Sequence, residues 1–569
     1  MQVRTDFKGL ELIICTKALR KMPRHNQTPT RAPALFLLIG IVLGLILARE
    51  VTAPIGFVLS VAGLMAGLSY GLSKHSGGLW LLSFMTAATL SAWAYGTLRL
   101  PTKPESAQLQ LPIREAHLHF EVDRVMQARS QFGNASGVAR IIEANATSRL
   151  ILGDKVFFRI KLPEAEASNV HNGSEIKATG VLKPIPHEVE PDSFEGYLKD
   201  TGIHYRFERI SALELARPPS RFDQFCYRMN LRFQDYLSLG APEGKNHDGI
   251  YTAMLLGRKA ELSDEQSDRF RMTGTMHFFA ISGLHIGVIA TVIAQFLILI
   301  RIPRKVSPFI GLPLLYLYVE ITGASPSAVR AFLMALFFWS SFAFVRQRSP
   351  LAALAASAVF VLIFQPAQLW SIGFQLSYTV VLSILLFGLP LYETASEKLA
   401  PFRYLPKANW APSQHLYAWI QDALLLLFSI SFSAWLASAP LSAAFFGYLS
   451  PGAILLNMLL VNLAAVAITT GVVSLSLALV GLDSAVGFIN HAAWISIQIM
   501  DTLVIGSTKI PGMILHCDVF PEWIAYSALI AYFTLLFGLH RERSQSSAVI
   551  WLLPLAVIIA GLLLGLANI

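Results

Sequence analysis

Residues His277–Ile300 read HFFAISGLHIGVIATVIAQFLILI, and their reading decides what kind of chain this is. The run ends in a stretch apolar enough to lie in a bilayer, where about 20 such residues cross the hydrocarbon. Its head differs. His277, Ser282, Gly283 and His285 fall within nine residues. Polar groups buried in hydrocarbon need partners, so such a cluster is expected to face protein or water and to mark a functional site.

The rest of the sequence fits a membrane reading. Of 569 residues, 54% are hydrophobic and 14% charged, with mean hydropathy +0.53. A soluble domain carries roughly 25% charged residues. Three apolar segments open the chain, at 34–48, 54–72 and 79–98. Ten more follow at 275–300, 308–323, 328–345, 350–365, 371–389, 421–446, 452–481, 485–509, 523–540 and 548–568. The expected fold is an α-helical polytopic membrane protein of roughly 10–13 transmembrane helices, the lower count allowing for short or re-entrant segments.

Charge orients the threading. Residues 1–33 hold seven Lys/Arg and two Asp/Glu, and the short loops 301–305 (RIPRK), 346–348 (RQR) and 541–543 (RER) are basic. Even numbers of crossings separate the three loops. One side, the cytoplasm, accommodates the tail and all three under the positive-inside rule.

Between the two apolar blocks, residues 99–215 alternate with period 2. Strands are expected at His117–Val125, Gly137–Glu143, Lys155–Leu162, Glu175–Leu182 and Ile203–Ile210, with turn residues such as Gly133-Asn134, Gly153-Asp154 and Asn172-Gly173 between them. Five short strands suggest a small OB-like β-barrel inserted on the side opposite the cytoplasm. Residues 216–272 read as amphipathic helices in the membrane interface, with Arg221, Arg228 and Arg232 interleaved with Phe222, Phe225, Tyr227 and Phe233. Of three cysteines, Cys226 and Cys517 face the same side on this threading, which leaves a disulfide open.

Chemistry-bearing motifs are few. Gly240–Asn246 (GAPEGKN) has the wrong spacing for a phosphate loop, and no zinc spacing occurs. No metal, cofactor or catalytic residue is expected. His117-Leu118-His119 reads as a strand with both imidazoles on one face. Ser282 and His285 would be helix neighbours, with Ser-Gly breaking the helix and freed backbone lining a polar cavity. Arg330 and Gln375 stand in later spans as further candidates for that cavity. Arg330 is expected to pair with Glu320 or Asp501, since a lone charge at membrane depth costs about 2.5–3.5 kcal/mol.

Several blocks resemble the ComEC family, the inner-membrane DNA-uptake channels of bacterial natural transformation. They are Pro191–Ile203 (PDSFEGYLKDTGI), Leu255–Lys259 (LLGRK), Phe270–His285 (FRMTGTMHFFAISGLH), Ser327–Met334 (SAVRAFLM) and Gly373–Tyr378 (GFQLSY). The resemblance implies a channel for single-stranded DNA in the bacterial inner membrane, with a periplasmic OB-like domain. Its parts would be a cytoplasmic tail (1–33), N-terminal helices (34–98), the barrel (99–215), interfacial helices (216–272) and a channel domain (273–569). The family's metallo-β-lactamase-like domain is not expected here. A separate nuclease, a periplasmic DNA receptor and a cytoplasmic helicase or ATPase would then be partners, alongside membrane lipids. Two rival readings remain: a transporter of small or lipid-linked solutes, and an intramembrane hydrolase using Ser282 and His285. Residues 99–245 carry 20 Lys/Arg against 19 Asp/Glu, so any affinity of the barrel for DNA should be weak and salt-sensitive.

Overall fold

A computed structural model describes residues 33–73, 77–100, 112–129, 134–145, 148, 151–161, 170–186, 194–200, 202–241, 247–258, 262–279, 281–343, 349–517, 519–540 and 549–567. The tail 1–32, the basic loops 346–348 and 541–543, Gly133, Leu162, Lys259 and residues 191–193 lie outside these.

All thirteen expected apolar segments contain helices. Pro33–Glu50 (α1), Ile55–Leu72 (α2) and Gly77–Arg99 (α3) open the chain. Gly283–Leu299 (α8), Ser307–Ile321 (α9), Pro326–Ala343 (α10) and Pro350–Phe364 (α11) begin the second block. There follow Ile372–Lys398 (α12), Pro412–Phe446 (α13), Ala453–Leu479 (α14), Asp483–Thr508 (α15), Glu522–His540 (α16) and Val549–Ala567 (α17). Among the described residues, seven helices are long and apolar enough to cross a membrane and four more are shorter apolar ones. The protein is therefore multi-pass. α12 stays continuous through a π-helical turn at Ile384–Gly388, where Gly388 lets Ser429 and Ser433 of α13 approach its backbone.

Between lipid-solvated helices the hydrophobic effect supplies little attraction, so close contact of small residues does the packing. α1 shows this. Its Gly40 and Gly44 are four apart and lie against Ala88, Thr89 and Ala92 of α3. A Cβ at Gly44 would stand 2.3 Å from the Thr89 carbonyl oxygen.

The inserted domain is a closed barrel of Arg114–Arg129 (β1), Asn134–Ala144 (β2), Lys155–Lys161 (β3), Glu175–Pro184 (β4) and Ile203–Arg217 (β5). Its order is β1-β2-β3-β5-β4, closed by β1 on β4, with β3 and β5 parallel. That is the OB-like arrangement. Register shifts along β1 let one long strand pair with both β2 and β4. The alternation expected from the sequence fills the interior: Phe120 stacks on Phe158 and meets Phe207 edge-on, all three fully buried. A short helix, Phe194–Asp200 (α4), covers the outside of β2 and β3. Its Leu198 packs with Val138, Phe157, Ile185 and Ile203.

Between barrel and bundle lie Arg221–Ser238 (α5), His247–Leu256 (α6) and Asp264–Met272 (α7). α5 is amphipathic as read, with Cys226, Met229, Phe233 and Leu237 turned inward. α6 packs inside the protein rather than presenting one apolar face. Ile250, Tyr251 and Ala253 to Leu256 are all buried in the largest core cluster. The sequence pattern blended a charged helix with an apolar one and hid this difference. Cys226 and Cys517 are not joined by a disulfide and sit in separate clusters. Burial, with Glu320 and Asp223 nearby, pushes the Cys226 thiol up to about 11.

Gly44→Leu should part α1 from α3 and cost about 1–3 kcal/mol. Gly63→Leu on α2, with nothing within 4 Å of the added Cβ, should cost far less. Thermal unfolding of both variants in the same detergent checks the contrast. In a soluble 99–217 fragment, Phe120→Ala should lower urea stability by about 3–5 kcal/mol.

Candidate functional site

The apolar run beginning at residue 275 does not form one helix. Met276–Phe278 makes a single 3-10 turn, and α8 starts at Gly283 with Ser282, in extended conformation, as its N-cap. The Ser282 backbone N–H donates to His285 Nδ1 at 3.2 Å, and the Ser282 hydroxyl stands 2.9 Å from the same nitrogen. Nδ1 thus accepts, which leaves the ring proton on Nε2. Nε2 is enclosed and has no hydrogen-bond partner among the described residues. His277, on the far side of the break, pairs its Nδ1 with the Gly274 carbonyl at 2.9 Å.

Other chain breaks converge on this one. Ser327, in the first turn of α10, donates to the Ile281 carbonyl at 2.7 Å. Gly257 follows α6 with φ +72°, close to Ile281 and the Thr322 carbonyl. Only glycine takes that conformation at little cost. Asn230 of α5 donates to the Ile321 carbonyl at 2.9 Å and accepts from Arg258 at 3.2 Å. Ser450, before α14, donates to the Met272 carbonyl at 2.8 Å. Each bond supplies a backbone carbonyl at or beside a helix end with the donor that lipid cannot give.

Arg330 lies one turn into α10 and is 5% exposed. It does not pair with Glu320 or Asp501. Its Nη2 donates to the Gly373 carbonyl at 2.9 Å and to Ser377 Oγ at 3.0 Å, both on α12. Glu320 instead sits near Tyr316, Cys226 and Asp223. Asp501 is on α15, which packs chiefly on α14, α5, α6 and α7. Carbonyl and hydroxyl oxygens disperse the guanidinium charge where the sequence suggested a carboxylate. Gln375 turns elsewhere, donating to the Leu369 carbonyl at 3.1 Å and accepting from Tyr526 at 3.0 Å.

The structure therefore joins Ser282, Gly283 and His285 directly, holds His277 alongside, and ties Arg330 to the same end of α10. Gln375 belongs to an α12–α16 contact. His285 and Arg330 are buried, whereas His277 and Gly283 are exposed and Ser282 is half-buried. A Cβ at Gly283 would meet nothing within 4 Å. Sequence reasoning missed Ser327, Gly373, Ser377 and Ser450. Gly373 and Ser377 stand four apart on one helix face in GFQLSY, and that spacing was the available signal.

On the barrel, His171 stacks on Tyr227 of α5 with ring centroids 3.6 Å apart. Burial lowers the His171 pKa from its usual value. His117 and His119 share the outer face of β1, as alternation predicts. His119 stands 3.4 Å from Glu143 and 3.5 Å from Glu175 through different ring nitrogens, so the carboxylates do not converge on one point. Among the described residues no group of three or more His, Cys, Asp or Glu is placed to hold a metal.

Arg330→Lys cannot serve Gly373 and Ser377 with one planar fork. It should lower stability in detergent by about 1.5–3 kcal/mol, read by thermal unfolding. The barrel's seat should also depend on pH. A histidine whose folded pKa lies below 6.5 binds its proton more readily once released, so docking is full above about 6.5 and weakens as pH falls toward the folded value. Protection from hydrogen exchange at residues 170–174, relative to the intrinsic rate at each pH, should fall on acidification, and His171→Phe should abolish that fall.

The competence protein family matches residues 254–542, just over half of the chain. The ComE operon protein 3 of Bacillus subtilis (strain 168) is 26% identical over 367 residues, 64% of this chain and 42% of that protein. Recombination protein 2 of Haemophilus influenzae is 26% identical over 227 residues, 38% of this chain and 27% of that protein. An uncharacterized protein of Aquifex aeolicus is 33% identical over 140 residues, 24% of this chain and 32% of that protein. The chain spans less than half the length of each. No solved structure matches it. The matched region carries the broken helix, Arg330 and Gln375, and the ComEC resemblance of these motifs is borne out: the chain belongs to the competence protein family.

Proposed function

We propose that the chain forms a conduit for single-stranded DNA across the bacterial inner membrane during natural transformation, with the N-terminus cytoplasmic and the barrel periplasmic. The observation that carries this reading is the broken helix at Ser282 inside a region shared with competence proteins. Non-helical backbone at membrane depth persists where protein buries it or water lines it. In this reading Gly283, Ser282 and His277 border the path, while His285 and Arg330 hold its walls in position. Nuclease and motor activities, with a DNA receptor, come from partner proteins.

The barrel contributes weak contact with the strand. OB-fold barrels commonly bind oligonucleotides on the outer face of strands 2 and 3. Here α4 occupies that face, with Phe194 edge-on against Phe157 at 5.1 Å. Stacking platforms are therefore scarce, and phosphate attraction, which salt screens, dominates.

One observation favours a hydrolase, namely the 2.9 Å approach of Ser282 Oγ to His285 Nδ1. Against it, the same nitrogen also accepts the Ser282 N–H and the ring is wholly buried. That is how a helix cap is built, and it leaves a substrate no approach to the imidazole.

Deleting the gene should abolish import of labelled DNA with growth unaffected, and complementation should restore it. A Cβ at Gly283 meets nothing within 4 Å, so the Gly283→Leu variant should insert and fold, yet its bulk in the path should stop import of DNA. Normal import by Gly283→Leu would take this region out of the path. A folded Ser282→Ala protein that loses a hydrolytic activity would favour the enzyme reading.

A further inference from the structure

The described residues contain a cavity of about 580 Å³ that none of the proposed machinery uses. It runs between α1, α2 and α3 and ends against Leu362 and Ile363 of α11. Along α3 its wall is one continuous face from Trp80 to Tyr95. Fifteen residues of helix rise about 22 Å. The slot is therefore long and narrow, somewhat longer than one leaflet of a hydrocarbon core about 30 Å thick.

Its chemistry is one-sided. Leucine, isoleucine, alanine and aromatic side chains form the walls, with only a few serines among them. Water needs several polar partners to settle in a cavity, and these walls offer few. The surrounding phase is lipid. α2 and α3 present Leu64, Leu79 and Leu82 outward at 63–70% exposure, which only hydrocarbon accommodates. The two ends differ. At one, the Tyr95 hydroxyl donates to the Ile363 carbonyl and ties α3 to α11. At the other, Tyr70 is 85% exposed and Trp80 stacks on Phe84. An exposed Tyr with a half-buried Trp beside it at the end of an apolar slot marks the headgroup level of a bilayer.

We infer that the slot between α1, α2, α3 and α11 is a phospholipid site. One fatty-acyl chain lies along the Trp80–Tyr95 face with its headgroup at the Tyr70–Trp80 end. The chain fills the seam between the N-terminal helices and the region matched to competence proteins, to which Leu362 and Ile363 belong. Direct contact with the later helices comes mainly through α1 on α11, so the lipid is part of that seam.

The test uses the full chain purified in mild detergent from its native membrane. A diazirine-bearing residue at Ser91, on the wall of the slot, irradiated only after detergent washing, should give a phospholipid adduct by mass spectrometry. The same residue at the exposed Leu64, irradiated after the same wash, should give no lipid adduct. A cavity-filling Ala66→Trp variant should retain several-fold less phospholipid than the parent in native mass spectra. No lipid adduct at Ser91 after washing, or an adduct to a second polypeptide there, overturns the inference. So does an Ala66→Trp protein that folds and keeps the parent's lipid.

Discussion

Everything in the bundle is subordinate to one constraint: a backbone carbonyl or amide that leaves a helix within an apolar phase must find its partner in protein. The chain breaks its helices after α6, before α8, between α9 and α10, and before α14, and the breaks come together. Asn230, Ser327 and Ser450 each donate to a carbonyl near another element's end. The polar junction is a mutual arrangement, because each stretch of irregular backbone is satisfied by a side chain from a different helix. Moving any one break would orphan carbonyls in several elements at once.

Arg330 applies the same logic to a charge. A guanidinium at 5% exposure needs oxygen around it, but the oxygen need not be a carboxylate. The Gly373 carbonyl and Ser377 hydroxyl accept from it and couple the start of α10 to the start of α12. Pairing two full charges would carry its own desolvation cost, whereas dipoles already fixed on a helix carry less. The resulting cross-brace stands beside the broken helix and holds its surroundings in register.

The chain builds its two halves with different forces. In the barrel, water drives Phe120, Phe158 and Phe207 together, so large side chains make the core. In the bundle, lipid is as apolar as leucine, and contact is made by glycine, alanine and serine. Gly44 lies on Thr89, Gly388 on Ser433, and Ser383 bonds to Ser433 and Tyr532. α5 joins the halves with both devices, stacking Tyr227 on His171 outside and burying Phe233 and Leu237 inside.

The helices and strands were legible because their periods are local. Apolar runs gave all thirteen segments, and alternation gave five strands to within a few residues at most ends. The Ser-Gly break was legible too, since glycine and serine side by side in an apolar run have few other uses. What the sequence could not carry was which polar groups meet. Arg330 stood in a row with Glu320 and Asp501 as three charges in apolar spans, and opposite sign suggested pairs. Only the packing of α10 against α12 decided that Arg330 faces Gly373 and Ser377, while Glu320 faces α5. Likewise the block Pro191–Ile203 was conspicuous as a motif, but only barrel closure showed that its helix covers Val138 and Phe157. Periodicity fixes which face of an element is apolar. Which neighbour that face meets depends on distances across the fold, and those exist only after the helices and strands have packed.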